Sequence, residues 1–228
     1  MSELINVLEL EGDDREMGLQ QGTQFRAEIK QLHYDLTHSE GFMALKPFLL
    51  PKFLFRKLVD FFSSKMVKDP IKKHFPAQWE FLKGLSEGSG VSVKKLLFLQ
   101  AIDGLGSQVG NYEVKEGIMS NRKDIRLPSV RSMGGCSAAG VRGSRSETGG
   151  ILMIKNWDGP EVLRKSIIFR RLTPTGEKYQ TIGSGVVALT GINNGMNERG
   201  LSIAYNYAHP REIGKKGIPP MVLIREAQ

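Results

Sequence analysis

The stretch "GGCSAAGVRGSRSETGGILMIKNWDG", residues 134–159, holds two short β-type runs on either side of the turn signal "SETGG". The first run starts at Cys136, the only cysteine in the chain, directly behind Gly134 and Gly135. The second closes with Asn156, Trp157 and Asp158. Antiparallel pairing of the two runs would return Asn156 and Asp158 to the start of the first strand. The hairpin thus gathers a thiol, an amide and a carboxylate at one end.

Gly135 before Cys136 removes side-chain bulk beside its own carbonyl and tolerates strained backbone. Both effects favour attack by the Cys136 sulfur on that carbonyl, the first step of self-cleavage. Water would then release the ester and leave Cys136 as a new N-terminal residue. Its freed α-amine, with a pKa of about 8 in an unfolded chain, can serve as base for the thiol. A carboxylate at Asp158 can hold that amine, and the Asn156 amide can position a reacting carbonyl. The structural alternative is plain: a packed cysteine, a core tryptophan at Trp157, and a turn at Asp158-Gly159-Pro160. The four histidines (His33, His38, His74, His209) have no neighbouring triad pattern, and this design needs none.

Downstream, "KSIIFRRLTP", "KYQTIGSGVVALTGI" and "GLSIAYNY" read as further strands. The turn signals "TPTGE", "INNG" and "NERG" fall between them. In the last run Leu201, Ile203, Tyr205 and Tyr207 alternate with Ser202, Ala204 and Asn206. Asn206 is either an oxyanion donor or a strand-end hydrogen bonder.

Upstream, the texture is helical. A short strand, "INVLELEG", leads into one long helix in which Met17, Gln21, Phe25, Ile29, Leu32 and Leu36 form the apolar stripe. "LLPKFLFRKLVDFFSSKMV" places Leu50, Leu54, Leu58 and Phe61/Phe62 on one face. The favoured expectation is a core helix with a solvated basic side; the sharper one is a face for an anionic membrane or an acyl chain. Trp79, Leu82 and Leu85 mark another helix ending at "EGSG", and Ser92 is a candidate N-cap for the next. Residues 104–135 read as a polar, turn-rich connection ending at the cysteine. A helical half followed by a β half predicts an α+β fold with helices packed on a sheet.

The composition, 40% hydrophobic and 25% charged in 228 residues, fits one globular domain with a real core. One cysteine excludes a disulfide framework and a thiolate zinc cluster. With no signal-like N-terminus and no spanning apolar run, the expectation is a soluble, cytoplasmic protein. The net charge of +8 is concentrated: residues 42–73 carry eight Lys/Arg against Asp60 and Asp69, a local +6. A nucleic-acid binder would spread such charge over several elements, so no nucleic-acid partner is expected.

Together, "GGCSAAGV", "GGILMIKNWDG", "TGINNGMNERGLSIAYNYAHP" and "GIPPMVLIREAQ" resemble the acyl-coenzyme A:6-aminopenicillanic acid acyltransferase-like family, peptidase family C45, of N-terminal-nucleophile hydrolases. "LEGDDREMGLQQG" and "FPAQWEFLKGLSEGSGVSVKKLLFLQAID" resemble its pro-segment. The resemblance implies autocleavage between Gly135 and Cys136. A helical pro-segment, residues 1–135, would become the small chain, and 136–228 the β-rich nucleophile-bearing segment of the same domain. It further implies Cys136 as nucleophile, Asp158 beside the new amine, and Asn206 near the substrate or oxyanion. Lys155 stands where relatives carry a polar or basic residue. The implied fold is a four-layer αββα sandwich of two antiparallel sheets, without metal or redox cofactor. The implied substrate is a small N-acyl amide, with acyl-CoA as a further candidate. The leading expectation is an autoprocessed cysteine amidohydrolase or acyltransferase working through a Cys136 thioester; because the family pattern runs on past "IREAQ", its sheets are expected to be incomplete at the C-terminus or completed by a complementing chain or a homodimer. The rival expectation is a catalytically inactive protein that binds lipid or anionic surfaces through residues 42–73.

Overall fold

The structure is a computed structural model that describes residues 6–102, 135–158, 161–206 and 217–228. Strand β1 (Val7–Gly12) precedes α1 (Asp14–Gln24), α2 (Arg26–His38), α3 (Glu40–Ala44), α4 (Lys52–His74), α5 (Pro76–Ser89) and α6 (Val93–Gln100). Then come β2 (Gly135–Val141), β3 (Leu152–Asp158), a short α7 (Glu161–Arg164), β4 (Ile167–Pro174), β5 (Thr181–Val186), β6 (Asn194–Asn197), β7 (Ser202–Ala204) and α8 (Pro220–Ala227). The chain is mixed α+β. The expected connection at 104–135 lies outside the described residues except for Gly135, which opens β2.

A five-stranded sheet runs in the order β1-β4-β5-β6-β7, and β2 and β3 form a separate two-stranded sheet. The expectation of purely antiparallel sheets is corrected at one place: β1 pairs parallel with β4, Leu8 opposite Arg170 and Leu10 opposite Leu172. The helices and the β2–β3 hairpin that lie between them in the chain supply the long crossover that a parallel pair demands. A second correction concerns "INNG", expected as a turn, whose Asn194 and Gly195 open β6. On the inner face of the sheet Leu10 and Leu172 meet Met17 of α1 and Phe81 of α5. Ile167, Phe169 and Met196 are 37%, 38% and 47% exposed.

The single long helix expected from residue 13 onward is two, broken at Phe25 (φ −113°, ψ 33°). Asp13 starts the first with a capping box: its carboxylate accepts from the Glu16 N–H at 2.8 Å, and Glu16 returns to the Asp13 N–H at 2.8 Å. Met17, Gln21, Ile29, Leu32 and Leu36 are buried as the stripe predicts. Ser92 does sit at the start of α6, but its side chain makes no capping bond; its carbonyl accepts from Lys95 and Leu96 instead.

Helices α1 and α5 touch backbone to backbone. A methyl group added at Gly84 would stand 1.9 Å from the Arg15 carbonyl oxygen, and one at Gly18 2.1 Å from that of Phe81. Small residues four apart on both helices permit this approach, and nothing larger fits.

Helix α4 does not pack as expected. It buries Phe55, Asp60, Ser63, Ser64, Val67 and Ile71, while Leu54, Phe61 and Phe62 are 37%, 39% and 60% exposed. The serine face wins because its polar atoms are satisfied locally at little cost. Ser63 donates to the Val59 carbonyl, Ser64 to that of Phe61 at 2.8 Å, and Asp60 pairs with His33 at 3.2 Å.

Between β5 and β6, residues 187–192 cross the core without joining a helix or strand, yet all are buried. Their carbonyls therefore need side-chain donors. Gln21 donates to Val187 O at 2.8 Å and Gln100 to Ala188 O at 2.9 Å. Arg170, fully buried on β4, donates to the carbonyls of Leu189 (3.0 Å), Thr190 (2.9 Å) and Gly191, and to Gln21 Oε1 at 2.7 Å. Burial, then the neighbouring Arg225, pushes the Arg170 guanidinium down to about 9, still protonated at neutral pH.

Candidate active site

Strands β2 and β3 pair antiparallel with Gly135 opposite Asp158, Cys136 opposite Trp157, Ser137 opposite Asn156 and Ala138 opposite Lys155. The connection turns through a short 3-10 segment, Gly143–Arg145, and Gly149 at φ +72°. A left-handed backbone there suits glycine and closes the hairpin. The peptide between Gly135 and Cys136 thereby lies at the strand end, beside Asp158.

Side chains alternate across the hairpin. In β3, Met153, Lys155 and Trp157 are half-buried, whereas Leu152, Ile154, Asn156 and Asp158 are exposed. Residues directly opposite share a face. Half-buried Cys136 therefore shares the inner face with Trp157 and Lys155. Asn156 and Asp158 stand on the outer face with Ser137, and Asn156 Nδ2 donates to Asp158 Oδ1 at 2.9 Å. The hairpin thus returns the carboxylate to the backbone of residues 135 and 136, while the sulfur points to the other side.

The inner face is tied to the five-stranded sheet. Trp157 packs on the main core cluster. Lys155 Nζ donates to Asn206 Oδ1 at 2.7 Å and to the Tyr205 carbonyl. Asn206 lies just beyond β7, which spans only Ser202–Ala204 rather than the longer strand expected; Tyr207 lies outside the described residues. Cys136, Lys155 and Asn206 accordingly belong to one side of the hairpin, and Asn156 and Asp158 to the other. Sequence reasoning missed the bond between Lys155 and Asn206. The signal available was parity: Lys155 lies two residues before Trp157, so a core-facing tryptophan makes the lysine core-facing too.

This is a mixed α+β protein whose lone cysteine opens a hairpin ending in Asn-Trp-Asp. The model of the family described as acyl-coenzyme A:6-aminopenicillanic acid acyl-transferase matches residues 145–227, the family that the sequence resembles. The matched segment begins in the β2–β3 connection, after Cys136, and runs through β3 to α8. No curated protein matches the chain.

Proposed function

We propose that this chain is an autoprocessed cysteine amidohydrolase or acyltransferase acting through a thioester on Cys136. The observation that carries the proposal is the register that sets Gly135 opposite Asp158, in a chain whose following residues match the acyl-transferase family. In processing, the Cys136 sulfur adds to the Gly135 carbonyl; the Gly135–Cys136 C–N bond breaks as the thioester forms. That break frees the Cys136 α-amine, which takes up the thiol proton; water then hydrolyses the thioester C–S bond, freeing the Gly135 carboxylate and the Cys136 thiol. The Asp158 carboxylate, oriented by Asn156, holds that amine.

In turnover the amine takes the thiol proton, and the sulfur attacks the carbonyl of an N-acyl amide or an acyl-CoA. The oxyanion that develops on the inner face meets the Lys155 ammonium and the Asn206 amide. As the oxyanion collapses, the substrate's C–N bond (or the C–S bond of an acyl-CoA) breaks, the leaving amine or thiol takes the proton held by the α-amine, and water or an acceptor amine then takes the acyl group from the Cys136 thioester. The outer face of the five-stranded sheet, with Ile167, Phe169 and Met196 partly exposed, is where a second sheet would stack in the four-layer αββα arrangement. A complementing chain or a second copy could supply it.

Intact-mass measurement after storage near neutral pH tests the proposal. Wild type is expected to yield two chains divided between Gly135 and Cys136, and Cys136→Ala one full-length chain. An uncleaved wild type, equal in mass behaviour to Cys136→Ala, overturns it.

A further inference from the structure

The loop before α4 carries two apolar side chains into solvent: Phe48 is 95% and Leu49 90% exposed. Phe53 on the first turn of α4 is 60% exposed. Exposed apolar groups of this size in one neighbourhood mark a contact surface. The loop is held in shape, because the Lys46 ammonium donates to the carbonyls of Pro47 (2.8 Å), Phe48 (3.2 Å) and Leu50 (2.8 Å).

The exposed charge along α4 is mainly positive. Lys52, Lys57, Lys65 and Lys68 are exposed, and of the two carboxylates in residues 42–73 Asp60 is buried against His33. Asp69 alone offsets the cations at the surface. Beside Phe53, helices α2, α4 and α6 border a cleft of about 410 Å³ whose lining includes Lys30, Arg56, Lys57 and Lys95 together with Asp60 and His33. Among the described residues no helix is long and apolar enough to cross a membrane, so any lipid contact of this face lies along the surface.

We propose that this face docks on an anionic lipid bilayer, Phe48, Leu49 and Phe53 entering the interfacial layer while the surrounding Lys and Arg side chains take lipid phosphates. Charge complementarity selects this occupant. A second copy packed through the same face would set two cationic surfaces against each other. A nucleic acid would satisfy the cations but leave Leu49 without a use. A bilayer interface accepts both, and the pairing of an apolar insertion with a basic patch is what stable peripheral attachment requires. The surface is independent of the chemistry proposed for Cys136.

Co-sedimentation of the full chain with vesicles tests the proposal, comparing pure phosphatidylcholine with phosphatidylcholine containing phosphatidylserine. Two double variants alter exposed side chains only: Phe48→Ser with Leu49→Ser, and Lys52→Glu with Lys57→Glu. Circular dichroism checks that both keep the wild-type fold. Wild type is expected to bind the anionic vesicles in a salt-sensitive way. Either double variant, or removal of phosphatidylserine, is expected to weaken binding by about tenfold or more. Equal binding to both vesicle types, or unchanged binding by the variants, overturns the proposal. So does a dimer in sedimentation velocity that Phe48→Ser with Leu49→Ser dissociates.

Discussion

The β2–β3 hairpin and the inner face of the five-stranded sheet both carry glycines, and they use them in opposite ways. In the sheet, glycine is a packing device. A methyl group at Gly195 would stand 2.5 Å from the Ile182 carbonyl oxygen, and one at Gly183 2.6 Å from that of Asn194. Gly183 lies opposite Arg170 in the register, and Ile192 closes over both glycines. In the hairpin, a methyl group at Gly140 would meet nothing within 4 Å, and Ser137, Ala138, Ala139 and Gly140 are all exposed. The sheet is therefore a filled scaffold, and the hairpin an open arm fastened by Trp157 and Lys155. The peptide proposed for cleavage and the Cys136 thiol both lie on the open arm.

The largest expected effect comes from the scaffold's centre. Replacing Arg170 by Met keeps the length but strips the Arg170 donors from the carbonyls of Leu189 and Gly191 and from Gln21, leaving Thr190 only its bond from Arg225 at 3.0 Å. Unfolding by urea is expected to show a loss of about 4 kcal/mol. A loss under about 1 kcal/mol would mean that residues 187–192 find other partners and that the hub is not what holds them. The next effect compares one substitution in the two regions. Gly195→Ala must push strands β5 and β6 apart and is expected to cost about 2–3 kcal/mol. Gly140→Ala has free space and a backbone that any residue adopts, so its melting temperature should match wild type. Equal losses at the two positions would erase the distinction between filled scaffold and open arm.

What the sequence disclosed follows the same division. The hairpin was legible because both signals are local: alternation with period two, and a turn whose Gly149 takes a positive φ. The helical stripe from Met17 to Leu36 was legible for the same reason. Strand β6 was not, since Asn-Gly-Met-Asn spells a turn and becomes a strand only through pairing with β5 and β7. The facing of α4 was hidden because apolar residues surround it, and the choice fell to serines that satisfy themselves. The Arg170 hub and the tie between Lys155 and Asn206 join residues far apart in the chain, which no local pattern announces. Thus the candidate nucleophile and carboxylate were readable as neighbours, but their separation onto two faces of the hairpin emerged only from the register.

The smallest expected effect is the one that isolates the arm. Lys155→Met preserves the stem that packs along the hairpin and removes the ammonium that donates to Asn206 and Tyr205. Asn206 is exposed and can turn to water while Tyr205 is half-buried, so the global loss should be about 1 kcal/mol. The local consequence is larger. With Trp157 still packed on the core, amides of residues 135–141 and 152–158 are expected to exchange faster with deuterium while those of β4 and β5 keep their protection. Uniform loss of protection across both sheets would show that the hairpin and scaffold open as one unit. Protection lost in the hairpin alone would establish that a single lysine sets how firmly the strand bearing Cys136 is held against the rest of the molecule.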